Sequence, residues 1–141
     1  MTADTQVTAS PVTPVRVLRD AAAYLDRHGW IQGSYYDQTA TVFTPAACLV
    51  GAISMVCYGG PVEAPAQHFD DPGWAAFEAT VAYLDLYLYL RFGHVPSEPS
   101  ASVPMNVYDF NDVPGRIGED VVQVLNEAAD HLDRLHSGGE P

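Results

Sequence analysis

The sequence contains no lysine. Six arginines stand against eighteen aspartates and glutamates, so the 141-residue chain carries a net charge of −12. This argues against direct nucleic-acid binding, which needs Lys and Arg to displace counterions from phosphates. An anionic membrane surface is disfavoured for the same reason. No apolar run reaches the roughly 18–20 residues of a membrane span. The longest, Ala46 to Tyr58, is interrupted by Gly51 and Ser54. Met1 to Thr13 holds no basic residue and no apolar stretch, which is unlike a secretory signal, so the cytoplasm is the expected compartment.

Cysteine is also scarce, with only Cys48 and Cys57. If both sit on one helix, their spacing puts them about 13 Å apart. A disulfide needs Cα atoms within about 7 Å, so the expected state of both is a small buried hydrophobe. The strong catalytic signatures are missing. The chain has no Walker loop, G-x-G-x-x-G, paired C-x-x-C, H-E-x-x-H or G-x-S-x-G.

What is present is apolar. Hydrophobic residues make up 48% of the chain and charged residues 17%, which is enough to bury a core and rules out wholesale disorder. The patterning predicts a mainly α, compact bundle of about four principal helices in one domain over residues 14–136. Residues 1–13 and 137–141 read as tails. Thr13-Pro14 opens the first helix as N-cap and first helical residue, and Gly29 closes it. Thr44-Pro45 repeats the device ahead of a central helix to Tyr58, which Gly59-Gly60-Pro61 stops. Asp71-Pro72 repeats it again ahead of a helix to Phe92. Leucines fall on every even position from 84 to 90, the period of a strand, but the cap and the Ala75–Ala82 run favour helix. A last helix begins at Arg116 or Ile117 and runs to about His136. It buries Val121, Leu125, Ala128, Leu132 and Leu135. Its outer face carries Glu119, Gln123, Asn126, Asp130 and Asp133. The two apolar helices are expected at the centre, with the first and last covering them. Tyr35-Tyr36 and Thr41-Val42-Phe43 are β-prone around Asp37–Ala40, which suggests one short hairpin. Residues 94–107 read as an extended loop.

Five groups of residues could carry chemistry. Tyr108 to Arg116 is a polar turn before a helix N-terminus. Its backbone-bonding Asn and Asp make a turn-and-cap motif. Asn111, Asp112 and Arg116 would also suit a polar or anionic small molecule at a positive helix end. Cys48 lies near the start of its helix, where the dipole lowers a thiol pKa. His68 or His94 with Asn111 could then complete a Cys–His–Asn set. His68-Phe69-Asp70-Asp71 offers metal-ligand types, but Asp71 is already a helix cap and no second His has a ligating spacing, so neither metal nor cofactor is expected. Trp74, Phe77, Tyr83, Tyr87 and Phe92 form a stripe that is either core or the wall of an apolar pocket around Gly51 and Ala52. The acidic last third, residues 93–141, has a net charge of −7, from nine acids and two arginines. It is a solvated face or a dock for a basic protein.

Four residue sets together resemble a known family. They are Leu25-Asp26-Arg27-His28-Gly29-Trp30 with Gln32-Gly33, then Cys48-Leu49-Val50-Gly51-Ala52, then Phe110-Asn111-Asp112-Val113-Pro114-Gly115-Arg116, then the amphipathic last helix. The chain is similar, over about residues 15–135, to a family of small helical proteins of unknown function from actinobacteria and their phages. That family has an H-G-W-x-Q-G turn, a C-x-x-G-A helix and a W-N-D-x-P-G-R-T turn. Here Phe110 stands in place of the Trp and Ile117 in place of the Thr. The resemblance implies a compact helical fold and no activity. It also implies that Trp30, Gln32, Cys48, Asn111, Asp112 and Arg116 share one locus.

Three functions follow as expectations. The first is a non-catalytic module that binds a small molecule or a protein through Trp30, Gln32, Asn111, Asp112 and Arg116. The second is a small enzyme using Cys48 or Asp112, with Asn111 and Arg116 holding a polar substrate. The third is an acidic decoy or adaptor for a basic nucleic-acid-binding protein. Oligomeric state is left open.

Overall fold

A computed structural model describes residues 13–93 and 106–138. The expected tail over 1–12, most of the expected loop after Gly93 and the last three residues lie outside these. The described residues form five helices: α1 (Pro14–His28), α2 (Leu49–Tyr58), α3 (Trp74–Phe92), α4 (Val107–Asp112) and α5 (Gly118–Gly138). A single 3-10 turn, Pro65–Gln67, lies between α2 and α3.

The start of α1 follows its local code. The Thr13 hydroxyl accepts from the Arg16 N–H at 3.3 Å, Pro14 leads the first turn, and the Gly29 N–H closes on the Leu25 carbonyl. Val17, Leu18, Ala21, Ala22 and Leu25 make the buried stripe. Among the described residues the most extensive helix pairing is α1 against α5, whose buried residues Val121, Leu125, Ala128 and Ala129 share the core with those of α1. Each large apolar side chain fully buried there contributes about 1.5–3 kcal/mol. The outer face of α5 is exposed at Glu119, Gln123, Asn126, Asp130 and Asp133, as the pattern predicts, whereas Leu135 is 55% exposed rather than buried.

Of the two apolar helices, only α2 is central. Every residue from Leu49 to Met55 is buried. By contrast α3 buries Phe77, Thr80, Leu84 and Leu88 on one side and leaves Leu86 and Leu90 open on the other. It covers the core rather than forming its centre. The alternating leucines sit on a helix, so their even spacing divides them between the two faces.

The proline devices work less uniformly than expected. Thr44-Pro45 opens no helix, and α2 begins four residues later with Cys48 as its N-cap. The reason is tertiary. The backbone of Ala46–Cys48 is taken up by pairing with two other segments. The Ala47 N–H donates to Gly29 O and the Ala47 carbonyl accepts from the Ile31 N–H, while the Asp37 N–H donates to Ala46 O and the Cys48 N–H to Tyr35 O. These isolated bridges replace the expected hairpin, and the described residues contain no named strand. The turn at Asp37–Ala40 does form, with the Asp37 carboxylate accepting from the Thr39 N–H at 2.9 Å. Likewise Asp71 bonds the Gly73 N–H at 2.7 Å in a turn, and α3 starts just beyond at Trp74.

Candidate functional site

The site is built around α4, a helix the sequence pattern does not reveal. Asn106 caps it by accepting from the N–H groups of Tyr108 and Asp109. From α3, the Asp85 carboxylate accepts from the Val107 N–H at 2.8 Å. Val107 and Phe110 are fully buried, and Phe110 lies against Phe92 at 5.4 Å between ring centres. These contacts hold α4 against α3, and the end of α4 meets the start of α2 where the Leu49 N–H reaches Asn111.

Asn111 sits at that junction, 2% exposed, and all its amide groups are used. Its Oδ1 accepts from the Trp30 indole N–H at 2.6 Å and from the Leu49 N–H at 3.0 Å. Its Nδ2 donates to the Ile31 carbonyl at 3.2 Å and to Asp112 Oδ1 at 3.0 Å. One side chain therefore ties the loop after α1, the first turn of α2 and the end of α4. Gln32 adds two bonds in parallel, donating from Nε2 to the carbonyls of Asn111 and Val113. The Gly33 N–H donates to Asp112 Oδ1 at 3.2 Å. Gly33 has φ +86°, a conformation other residues adopt only under strain.

Beside this interlock lies a cleft of about 360 Å3. Its floor is the first turn of α2, with Cys48 and Val50. One wall is Gly33 to Tyr36, and the other is Val107, Tyr108, Asn111 and Asp112 of α4. Gln38 and Glu63 complete the rim. Gly51 lets the Tyr35 wall approach: a Cβ at this position would stand 2.2 Å from the Tyr35 carbonyl oxygen. Among the described residues, both hydrogen bonds to the Asp112 carboxylate fall on Oδ1, and Oδ2 is left to the exposed side.

The electrostatics of the floor oppose nucleophilic chemistry. Cys48 is 7% exposed, and its Sγ accepts from the Gly51 N–H at 3.3 Å. Burial pushes the thiol above its ordinary pKa. The N–H groups of Gly51 and Val50 pull it back, and the Asp112 charge adds to the rise. The dipole effect expected at a helix start is therefore outweighed by desolvation. Burial also raises the Tyr108 hydroxyl, with the Tyr35 hydroxyl beside it adding to the rise. Cys57, at the far end of α2, is raised to about 12 by burial, and both thiols are free.

The structure thus brings Trp30, Gln32, Cys48, Asn111 and Asp112 together. Only Cys48, Asn111 and Asp112 face the cleft. Arg116 does not join them. Its Nε donates to the Phe110 carbonyl at 3.0 Å, and its guanidinium lies 3.9 Å from the centre of the Phe110 ring. Arg116 is turned toward α4 and does not line the cleft. The cleft tyrosines are the residues that motif reading misses. Tyr35 and Tyr36 fall in a segment read as a hairpin, and Tyr108 in one read as a turn.

The remaining candidates have other occupations. His68 packs against Tyr58 and lies 3.7 Å from Asp71, and His94 is outside the described residues. The aromatic stripe of α3 splits into separate packing groups: Trp74 with Phe69 and Phe77, Tyr83 and Tyr87 with His131, and Phe92 with Phe110. Asp130 on the acidic face is paired with Arg19 at 2.8 Å. Among the described residues, no group of three or more His, Cys, Asp or Glu is placed to hold a metal ion. Nor is any described helix long and apolar enough to cross a membrane.

No curated protein and no solved structure matches the chain. One protein-family model does match, over residues 9–131, and its description is "Family of unknown function (DUF6197)".

Proposed function

The chain belongs to this family of unknown function, and since membership brings no activity with it, we propose a function from the geometry: a non-catalytic module that binds a small molecule in the cleft beside Asn111. The observation that carries this is how polar groups are divided between scaffold and cleft. Asn111, Gln32 and the Trp30 N–H are spent on one another and on backbone. They fix the walls. The cleft itself presents tyrosine rings, valines and a carboxylate edge, which is the mixed apolar lining with few polar groups typical of ligand sites. Its volume of about 360 Å3 is at the small end of the roughly 300–1,000 Å3 range of such sites.

The cysteine-enzyme reading is less well supported. A nucleophile needs a lowered thiol pKa, and burial moves Cys48 the other way. His68, the described candidate base, is engaged with Tyr58 and Asp71.

The test is an NMR titration with a set of small aromatic fragments, following backbone amides. Binding in the cleft moves the resonances of Gly33–Tyr36, Cys48–Val50 and Val107–Asp112 together. Shifts confined to other surfaces, or none at all, would refute the cleft as the site.

A further inference from the structure

The cleft also has a sign. Its lining includes two carboxylates, Asp112 and Glu63, and three tyrosines, Tyr35, Tyr36 and Tyr108. None of the six arginines of the chain lines it. Arg16, Arg19 and Arg91 are paired with Asp20, Asp130 and Glu127, and Arg116 lies on Phe110. Two N–H groups of the helix start on its floor are already taken. The Leu49 N–H is taken by Asn111 Oδ1 and the Gly51 N–H by Cys48 Sγ. An anion entering here would meet two carboxylates and no arginine to receive it. A cation would meet aromatic rings, whose faces carry negative charge density, and an Asp112 carboxylate already oriented through Oδ1 with Oδ2 to spare.

Building on the cleft reading above, we infer that the ligand is a small organic cation: an amine or quaternary ammonium on an apolar or aromatic body. The apolar body lies against Val50, Val107 and the tyrosine rings, and the charged end points to the Asp112–Glu63 rim. The sequence-based expectation is a polar or anionic ligand near Arg116; the cleft lining favours a cation beside Asp112 instead.

Three probes of similar shape test the inference: phenyltrimethylammonium, its neutral carbon isostere tert-butylbenzene, and benzoate. Each is titrated into the full chain while the amides of Gly33–Tyr36 and Cys48–Val50 are followed. The cation is expected to bind at least about tenfold more tightly than the isostere, and benzoate is expected not to bind. Glu63→Gln and Asp112→Asn should each weaken the cation by about three- to tenfold and leave the isostere unchanged. Glu63 is exposed, so its variant stays informative if Asp112→Asn disturbs the interlock. Equal or tighter binding of the isostere or of benzoate overturns the inference and leaves the cleft reading standing. If none of the three moves these amides, both fall. N-acetyl-trimethyllysine amide tests the other source of such a cation, a protein side chain. Binding about tenfold tighter than phenyltrimethylammonium would overturn the small-molecule source, and equal or weaker binding supports it.

Discussion

The Trp30 indole N–H donates to the Asn111 side-chain oxygen at 2.6 Å, across 81 positions of sequence. The same oxygen takes the Leu49 N–H, so a single amide joins the loop after α1 to the first turn of α2. The cleft walls stand on this joint.

Asn111→Ala should therefore be among the most damaging polar substitutions in the chain. It strands the Leu49 N–H, the Trp30 N–H and the Ile31 carbonyl at once. The expected loss is about 2–4 kcal/mol, read as a fall in the urea midpoint at unchanged slope. A loss no larger than that of a surface substitution would mean the joint is incidental.

Gly51→Ala gives a sign rather than a size. In an open helix this change stabilises by about 1 kcal/mol. Here the added methyl would stand 2.2 Å from the Tyr35 carbonyl oxygen, which also receives the Cys48 N–H. The expected result is destabilisation by roughly 2 kcal/mol, since either the wall or the helix must move. A raised melting temperature would contradict the close approach.

The two thiols, Cys48 buried and Cys57 partly buried, set a pH dependence. Burial raises both, Cys57 to about 12, whereas an unfolded thiol titrates near about 8.5. Above that pH the unfolded chain releases protons that the folded chain retains. Stability should thus be flat with respect to the thiols below about pH 8.5 and fall as the pH rises from there toward 12. Urea unfolding at pH 7, 9 and 10 checks this, and Cys57→Ala should flatten part of the slope. Alkylation of folded Cys48 by iodoacetamide at pH 8 should also run at least about tenfold slower than in the unfolded chain.

Arg116→Ala separates scaffold from site. Its guanidinium lies over Phe110 and its Nε holds the Phe110 carbonyl. The expected cost is about 1 kcal/mol of stability, with cleft binding unchanged. Loss of binding with unchanged unfolding would restore Arg116 to the site.

What could be read from the sequence was whatever local chemistry decides. Thr13-Pro14 and Gly29 bound α1 because a cap hydroxyl, a proline and a closing glycine act within a few residues of themselves. Thr44-Pro45 carries the same signal and opens no helix, because Ala46–Cys48 finds its partners in the backbones of Gly29–Ile31 and Tyr35–Asp37. The family resemblance implied one locus for Trp30, Gln32, Cys48, Asn111, Asp112 and Arg116, and the last of these instead lies on Phe110. The division of labour among the other five was not legible in it. Whether an asparagine amide faces a ligand or the backbone depends on what lies within 3 Å of it, and Asn111 faces inward on every side. The cleft tyrosines left no periodic trace because they lie on an irregular segment and a six-residue helix.

The most direct test of the cleft as a binding site is to plug it. Ser34 lines the cleft wall without belonging to the Asn111 interlock. Ser34→Trp should abolish the amide shifts that phenyltrimethylammonium produces in the unmodified chain and leave the urea midpoint within error. Undiminished binding in a correctly folded Ser34→Trp protein would place the ligand elsewhere and contradict the account.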